Sequence, residues 1–163
     1  MPAQESSVQA EAGTVIRPRA ISHVVLNVRD LDRAGEFYTG VLGFTEVARH
    51  DRLPMRFYSA DGSNHHDLAT FQVGEGAGGP DADRIGMNHF AVRLVDEENF
   101  KQAYHMLRER GIAVNRTADH RASHGIYLND PDGNAIELVL DRPREEWEHI
   151  PNAVAYGAPL EID

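Results

Sequence analysis

Two histidines and one glutamate stand at matching places in three strand-like segments of this sequence. His23, His89 and Glu137 are each the second residue of their segments, which are 22–28, 88–94 and 136–140. Imidazole nitrogens and a carboxylate oxygen are ligands that suit iron, manganese, zinc or nickel. These three residues therefore predict one metal site.

The alternation of side chains along a strand explains why the three groups are expected to point together. From Val24, Phe90 and Ile136 onward, every second residue of these segments is apolar, as in Val24, Leu26 and Val28. His23, His89 and Glu137 have the opposite parity. Because an unpaired carboxylate among apolar side chains is costly, Glu137 is expected to have a partner.

Composition limits the other possibilities. The chain has 163 residues, normally one domain, and 41% of them are hydrophobic, enough for a core. With no cysteine there is neither a disulfide framework nor a thiolate ligand, so a metal must be held by nitrogen and oxygen. The net charge of −10 argues against a nucleic-acid surface. With no segment suited to a membrane span or a signal peptide, we expect a soluble cytoplasmic protein.

The sequence contains an internal repeat. Helical spacing begins at Asp30 and closes near Gly43, and begins again at Asp96 and closes at Gly111. Three strand-like runs follow each helix: 45–50, 55–59 and 65–73, then 112–118, 125–129 and 135–141. Each half therefore reads βαβββ, which predicts an α+β fold.

We expect the following segments: a flexible arm 1–19, a domain 20–142 with modules 20–73 and 86–141 and a linker 74–85, and a tail 143–163.

The stretches Asp30 to Phe44 and Asp130 to Leu138 resemble the vicinal oxygen chelate (glyoxalase/bleomycin resistance/dioxygenase) superfamily. This resemblance implies that the two modules form one cup-shaped, partly open mixed β-barrel with the helices outside. The scaffold alone does not give the reaction, because glyoxalases, epimerases, resistance proteins and ring-cleaving dioxygenases share it.

Within the superfamily the sequence is most similar to the small type I extradiol dioxygenases, the catechol 2,3-dioxygenase-like members. The resemblance is carried by four features: the residues His23, His89 and Glu137; the segment 64–71 with His65 and His66; the segment 119–123 with His120; and Tyr127.

The resemblance implies Fe(II), with Mn(II) as a possible substitute, held by His23, His89 and Glu137. It implies that His66 is the acid/base, that His120 lies over the substrate and oxygen pocket, and that Tyr127 stands beside the metal. The implied reaction is O2-dependent ring cleavage of a catechol to a semialdehyde in aromatic hydrocarbon catabolism, by a homo-oligomer.

Strand parity agrees with two of these roles. On a strand 65–73, His66 shares a face with Leu68 and Thr70 and is expected to face the cup, whereas Asp67 faces away. Tyr127 is expected to face the inside of the cup, whereas its neighbours Ile126 and Leu128 are expected to face away from it. A structural role is the competing interpretation in each case: His66 as a turn residue, His120 as an exposed loop residue and Tyr127 as core.

Two alternative functions stay open. A glyoxalase I or acyl-CoA epimerase would need a fourth protein ligand near the end of the first module, where Asp67 is the available acid. A bleomycin-binding resistance protein would have the same fold without the metal ligands.

Two charged positions are also notable. Arg121 would either favour an anionic substrate substituent or point to water. Arg33 and Glu36 are expected on a solvated helix face.

Overall fold

The structure, a computed structural model, describes residues 16–81 and 83–163. The first module consists of β1 (Val24–Val28), α1 (Leu31–Gly40), β2 (Thr45–Arg49), β3 (Met55–Ser59) and β4 (Leu68–Gln72). The second consists of β5 (Phe90–Arg93), α2 (Glu97–Glu109), β6 (Val114–Asp119), β7 (Ser123–Asn129) and β8 (Ala135–Asp141). A short helix α3 (Arg144–Trp147), a 3-10 turn (Ala153–Ala155) and β9 (Ala158–Pro159) follow. The predicted α+β fold with two βαβββ modules is confirmed.

Each module forms its own mixed sheet. The strand order is β1-β4-β3-β2 in the first and β5-β8-β7-β6-β9 in the second. β1 is parallel to β4, and β5 is parallel to β8, while the other pairs are antiparallel. The two sheets do not close on each other, which gives the cup-shaped open barrel that was expected.

Helix boundaries follow from capping residues. The side chain of Asp30 accepts a hydrogen bond from the backbone N–H of Arg33 at 2.7 Å, and that of Asp96 accepts one from Asn99 at 2.8 Å. After the helices, Gly43 and Gly111 have φ of 74° and 68°, a conformation that favours glycine. These are the helix ends that the sequence predicts.

A single core joins the two modules. Leu26 and Val28 of β1 are buried in one cluster with Leu107 of α2 and Ile136 of β8. Val25, of opposite parity on β1, is 50% exposed, which confirms the predicted alternation.

The turn before β8 clamps the modules together. The buried hydroxyl of Tyr38 donates to Oδ2 of Asp130 at 2.8 Å. Burial, and then the Asp130 charge, raise the pKa of Tyr38. Oδ1 of Asp132 accepts from Arg29 Nη1 at 3.0 Å and from Arg33 Nη2 at 2.7 Å. Glu36 is exposed, as expected of a solvated helix face, whereas Arg33, with its side chain 41% exposed, also reaches across to the second module.

The strand predicted over 65–73 is shorter than expected. β4 begins at Leu68, so His65 and His66 lie in the loop that precedes it. The carboxylate of Asp67 explains this, since it accepts hydrogen bonds from the Ala60 N–H and from Asn64 Nδ2, at 2.8 and 2.9 Å, and folds the loop back on β3. The parity argument for His66 therefore does not hold.

The terminal segments are described only in part. Of the predicted arm 1–19, residues 1–15 lie outside the described residues, and residues 16–19 are exposed. In the predicted tail, β9 extends the second sheet by pairing with β6. The division into arm, linker and tail stays a prediction. In the part of the chain that the structure describes, no helix has the length and apolar character to cross a membrane.

Candidate active site

Glu137 is a buried carboxylate in the centre of the second sheet. Its strand, β8, is paired with β5 on one side and β7 on the other, and the residue is 7% exposed. Tyr127 lies directly opposite on β7 and donates a hydrogen bond from its hydroxyl to Glu137 Oε1 at 2.8 Å. Nε2 of His89 is 3.3 Å from Glu137 Oε2. The carboxylate thus has a polar neighbour on each oxygen, as burial requires.

His120 extends this arrangement. Its Nε2 is 2.8 Å from the hydroxyl of Tyr127, and its Nδ1 is 2.7 Å from the backbone carbonyl of Tyr156. Because a carbonyl oxygen only accepts, Nδ1 donates to the Tyr156 carbonyl. A chain of hydrogen-bonding groups therefore runs from the Tyr156 carbonyl through His120 and Tyr127 to Glu137.

Tyr127 is buried between charged groups. Burial, and then the Glu137 hydrogen bond, raise the pKa of Tyr127 to about 12. The guanidinium of Arg116 lies 3.7 Å from the ring centroid and opposes that shift. A register shift between Val114 and Arg116 places Arg116 opposite Tyr127. The phenol is therefore a neutral donor near neutral pH.

Gly125 makes room for this arrangement, and sequence reasoning missed its role. A Cβ at this position would overlap the carboxylate of Glu137 and lie 2.9 Å from Cε2 of Tyr127. A glycine inside a strand often marks such a close approach, which is the signal that could have identified it.

His23 and His66 form a second group, at the end of the first sheet. Their ring centroids are 4.3 Å apart, and Nδ1 of His66 is 2.6 Å from Nδ1 of His65. Burial, and then the neighbouring imidazoles of His23 and His65, lower the pKa of His66. His66 is therefore neutral near pH 7, as a proton acceptor must be.

The structure thus brings the predicted residues together in two groups. His89, Glu137, Tyr127 and His120 share one cavity, whereas His23 and His66 lie beside each other elsewhere. Among residues 16–81 and 83–163, no three His, Asp or Glu side chains are close enough to hold an ion. The donors nonetheless suit a metal that binds nitrogen and oxygen, because a buried carboxylate and an imidazole already lie side by side facing a cavity. The three-ligand site stays a prediction.

The cavity has a volume of about 650 Å³. One end is lined by Glu137, Tyr127, His89 and His120. The rest is lined by Ser123 and Asp141 and by residues of the C-terminal segment, among them Trp147. A small molecule can therefore reach the buried carboxylate.

Comparison with known proteins agrees with this geometry. Residues 20–138 match the model of the Glyoxalase/Bleomycin resistance protein/Dioxygenase superfamily. The chain is 36% identical over 129 residues to catechol-2,3-dioxygenase of Bacillus subtilis (strain 168), an alignment that spans 78% of this chain but only 44% of that relative. It is 29% identical over 140 residues to biphenyl-2,3-diol 1,2-dioxygenase 3 of Rhodococcus globerulus, covering 83% of this chain and 71% of that one.

Solved structures show the same fold. A glyoxylase/bleomycin resistance protein/dioxygenase domain from Frankia sp. EAN1pec superposes with a TM-score of 0.67 at 24% identity. The match covers 77% of this chain and 100% of that one.

Proposed function

Because this chain belongs to the Glyoxalase/Bleomycin resistance protein/Dioxygenase superfamily, we propose that it is an extradiol dioxygenase that opens a catechol-type ring with O2 to give a semialdehyde. One observation carries the proposal: a buried carboxylate, Glu137, touches an imidazole and a phenol at the end of an open cavity. The two relatives named for catechol and biphenyl-diol cleavage support it. We also propose that the enzyme is a cytoplasmic homo-oligomer.

Fe(II), or Mn(II) in its place, would be held by His23, His89 and Glu137, and would supply open positions at which the diol and O2 are held adjacent. Tyr127 fixes Glu137 by its hydrogen bond and so orients that ligand. His120, fixed in turn by the Tyr156 carbonyl, presents Nε2 to the reaction cavity beside Tyr127. His66, neutral near pH 7, takes a proton from a substrate hydroxyl and later returns it.

A glyoxalase I or acyl-CoA epimerase is the second candidate, and the family itself accommodates it. The surroundings of Asp67 weigh against it. The Asp67 carboxylate accepts hydrogen bonds from Ser59 Oγ at 3.1 Å and from the Ala60 N–H at 2.8 Å, so the acid that the sequence offers as a fourth ligand is committed to the turn. A sequestering resistance protein would have no use for the buried Glu137, whose desolvation is costly.

The experiment that tests the proposal is a turnover assay on protein loaded anaerobically with Fe(II). A panel of catechols is added, oxygen is admitted, and oxygen consumption is recorded together with the yellow absorbance of the ring-opened product. Product formation with matching oxygen uptake is the expected result. Metal binding without oxygen uptake on any catechol, together with turnover of a hemithioacetal or an acyl-CoA, would replace the dioxygenase by the second candidate.

A further inference from the structure

The cavity at Glu137 is much longer than a single aromatic ring. Tyr127 pairs with Glu137 across β7 and β8, and Ser123 pairs with Asp141 four residues further along, and all four residues line the cavity. At about 3.3 Å per residue, the two pairs lie roughly 13 Å apart. The cavity therefore extends well beyond the candidate metal ligands.

The cavity is not interrupted at Gly125. This residue stands between Ser123 and Tyr127 on the same face of β7 and contributes no side chain to the cavity. The volume of about 650 Å³ is within the range of pockets that hold drug-sized ligands. An unsubstituted catechol would leave most of this space to water.

The distal end is built by the C-terminal segment. Trp147 and Val154 give it an apolar surface, and Arg142 and Arg144 line it as well. Trp147 Nε1 donates to the backbone carbonyl of Arg142 at 3.1 Å and so holds α3 against the end of β8.

Three charged residues line this end, and two of them, Arg142 and Arg144, are arginines. Asp141 is already paired with Arg93 at 2.5 Å. Arg142 pairs with Glu146 and Arg144 with Glu148, but neither glutamate lines the cavity.

Such exposed pairs are weak, and a guanidinium has five N–H donors. Arg144 uses only Nε for its glutamate, at 2.7 Å, which leaves its Nη groups for another acceptor. Arg121, the cation that the sequence suggested for an anionic substituent, instead stacks at 3.8 Å on the ring of Tyr156.

We propose that this distal end is a subsite for an acidic substituent, so that the substrate is a catechol with a side chain ending in a carboxylate. The diol lies at the Glu137 end, the chain lies against Trp147 and Val154, and the carboxylate accepts hydrogen bonds from Arg142 and Arg144. This inference rests on the proposed dioxygenase function and names the substrate class of the same site.

A matched substrate pair tests the subsite: 5-(3,4-dihydroxyphenyl)pentanoate and 4-pentylcatechol, which differ in the terminal charge. We expect the wild type to prefer the acid. In the Arg142→Gln/Arg144→Gln double variant, KM for the acid should rise about tenfold or more, because two charge-assisted hydrogen bonds are lost. Turnover of 4-pentylcatechol should not change. Arg52→Gln, which removes an exposed arginine that does not line the cavity, is the control and should leave both substrates unaffected.

Equal effects of the double variant on both substrates, or on neither, would overturn the subsite. The unsubstituted catechol separates this failure from failure of the proposed function. If the Fe(II)-loaded wild type cleaves catechol but does not prefer the acid, only the subsite is wrong. If it cleaves no catechol, the proposed function is wrong, and calorimetric binding of the same pair to the anaerobic protein decides on the subsite alone.

Discussion

The hydroxyl of Tyr127 and the carboxylate of Glu137 meet at 2.8 Å across a directly paired position of β7 and β8. The two backbones are held by the sheet on either side, so this hydrogen bond fixes the carboxylate with little freedom to rotate. Oε1 is turned to the phenol and Oε2 to His89. The sheet thus presents a ligand oxygen in a defined direction.

Tyr127→Phe should weaken metal binding without unfolding the protein. The change removes a donor to a buried carboxylate, which we expect to lower the free energy of unfolding by about 1–3 kcal/mol. Loss of a group that orients a ligand typically lowers metal affinity or activity by about 10–100-fold. Metal titration and urea unfolding measure the two effects. Unchanged metal affinity would show that Tyr127 does not orient a ligand.

Gly125→Ala should displace Glu137. Its Cβ would overlap the carboxylate and the Tyr127 ring, and overpacking of this kind costs about 1–3 kcal/mol. We expect loss of metal retention, measured by elemental analysis after gel filtration. Gly76→Ala is the matched control, because a Cβ there meets no atom within 4 Å. If both variants retain the same amount of metal, Gly125 has no role in placing Glu137.

Glu137 and Gly125 illustrate what the sequence could and could not predict. Strand parity correctly placed Glu137 on the face opposite Ile136 and Leu138, because period-two alternation depends only on the strand itself. The close approach at Gly125 depends on the register between β7 and β8, which the pattern of one strand does not contain. The contact between His120 and the Tyr156 carbonyl is likewise a backbone contact of a distant segment, and residue types carry no signal for it.

Asp132→Asn should weaken the contact between the two modules and so lower the free energy of unfolding. Asp132 is nearly buried and accepts from Arg29 and Arg33, both of the first module. Because the arginines are partly exposed, the loss is expected to be moderate, about 1–3 kcal/mol in the free energy of unfolding. Urea unfolding measures it, with Asp51→Asn, at an exposed carboxylate, as the control. Equal stability of the two variants would contradict a clamp at Asp132.

Low pH should remove the stabilisation of the fold that the Asp67 carboxylate provides. Burial alone would raise the pKa of Asp67, but hydrogen bonds from Asn64, Ala60 and Ser59 lower it below its usual value of 3.8. A lowered folded-state pKa means that the unfolded state binds protons first as pH falls. The stabilisation is therefore complete above about pH 4 and is lost as pH drops through the lowered pKa.

Asp67→Asn should accordingly be less stable than the wild type at pH 6, with the difference shrinking below about pH 4. Urea unfolding at a series of pH values measures this difference. A difference that stays constant down to pH 2.5 would show that the charge of Asp67 contributes nothing.

The sequence predicted a catalytic role for His66, partly from a strand that in the structure does not extend to this residue. The family resemblance carried the assignment, and parity on a strand 65–73 supported it. That support is lost because β4 begins only at Leu68, where the side chain of Asp67 closes the preceding turn. His66 instead approaches His23 through the packing of two chain segments, and its ring lies 5.1 Å from that of Phe57. The periodicity of one segment carries no information on long-range packing of this kind.

Variants of His66 and Asp67 separate a dioxygenase from a metalloenzyme with four protein ligands. In the proposed mechanism His66 moves protons without binding metal, so His66→Ala should keep its iron and still bind catechol. Its turnover should fall by roughly a hundredfold or more, the usual contribution of a positioned acid or base. Asp67→Ala should retain iron, because its carboxylate holds the turn rather than the metal. Iron content and catechol turnover are measured on both proteins. Loss of iron from Asp67→Ala, with normal turnover by His66→Ala, would be the signature of a fourth ligand and would exclude the proposed mechanism.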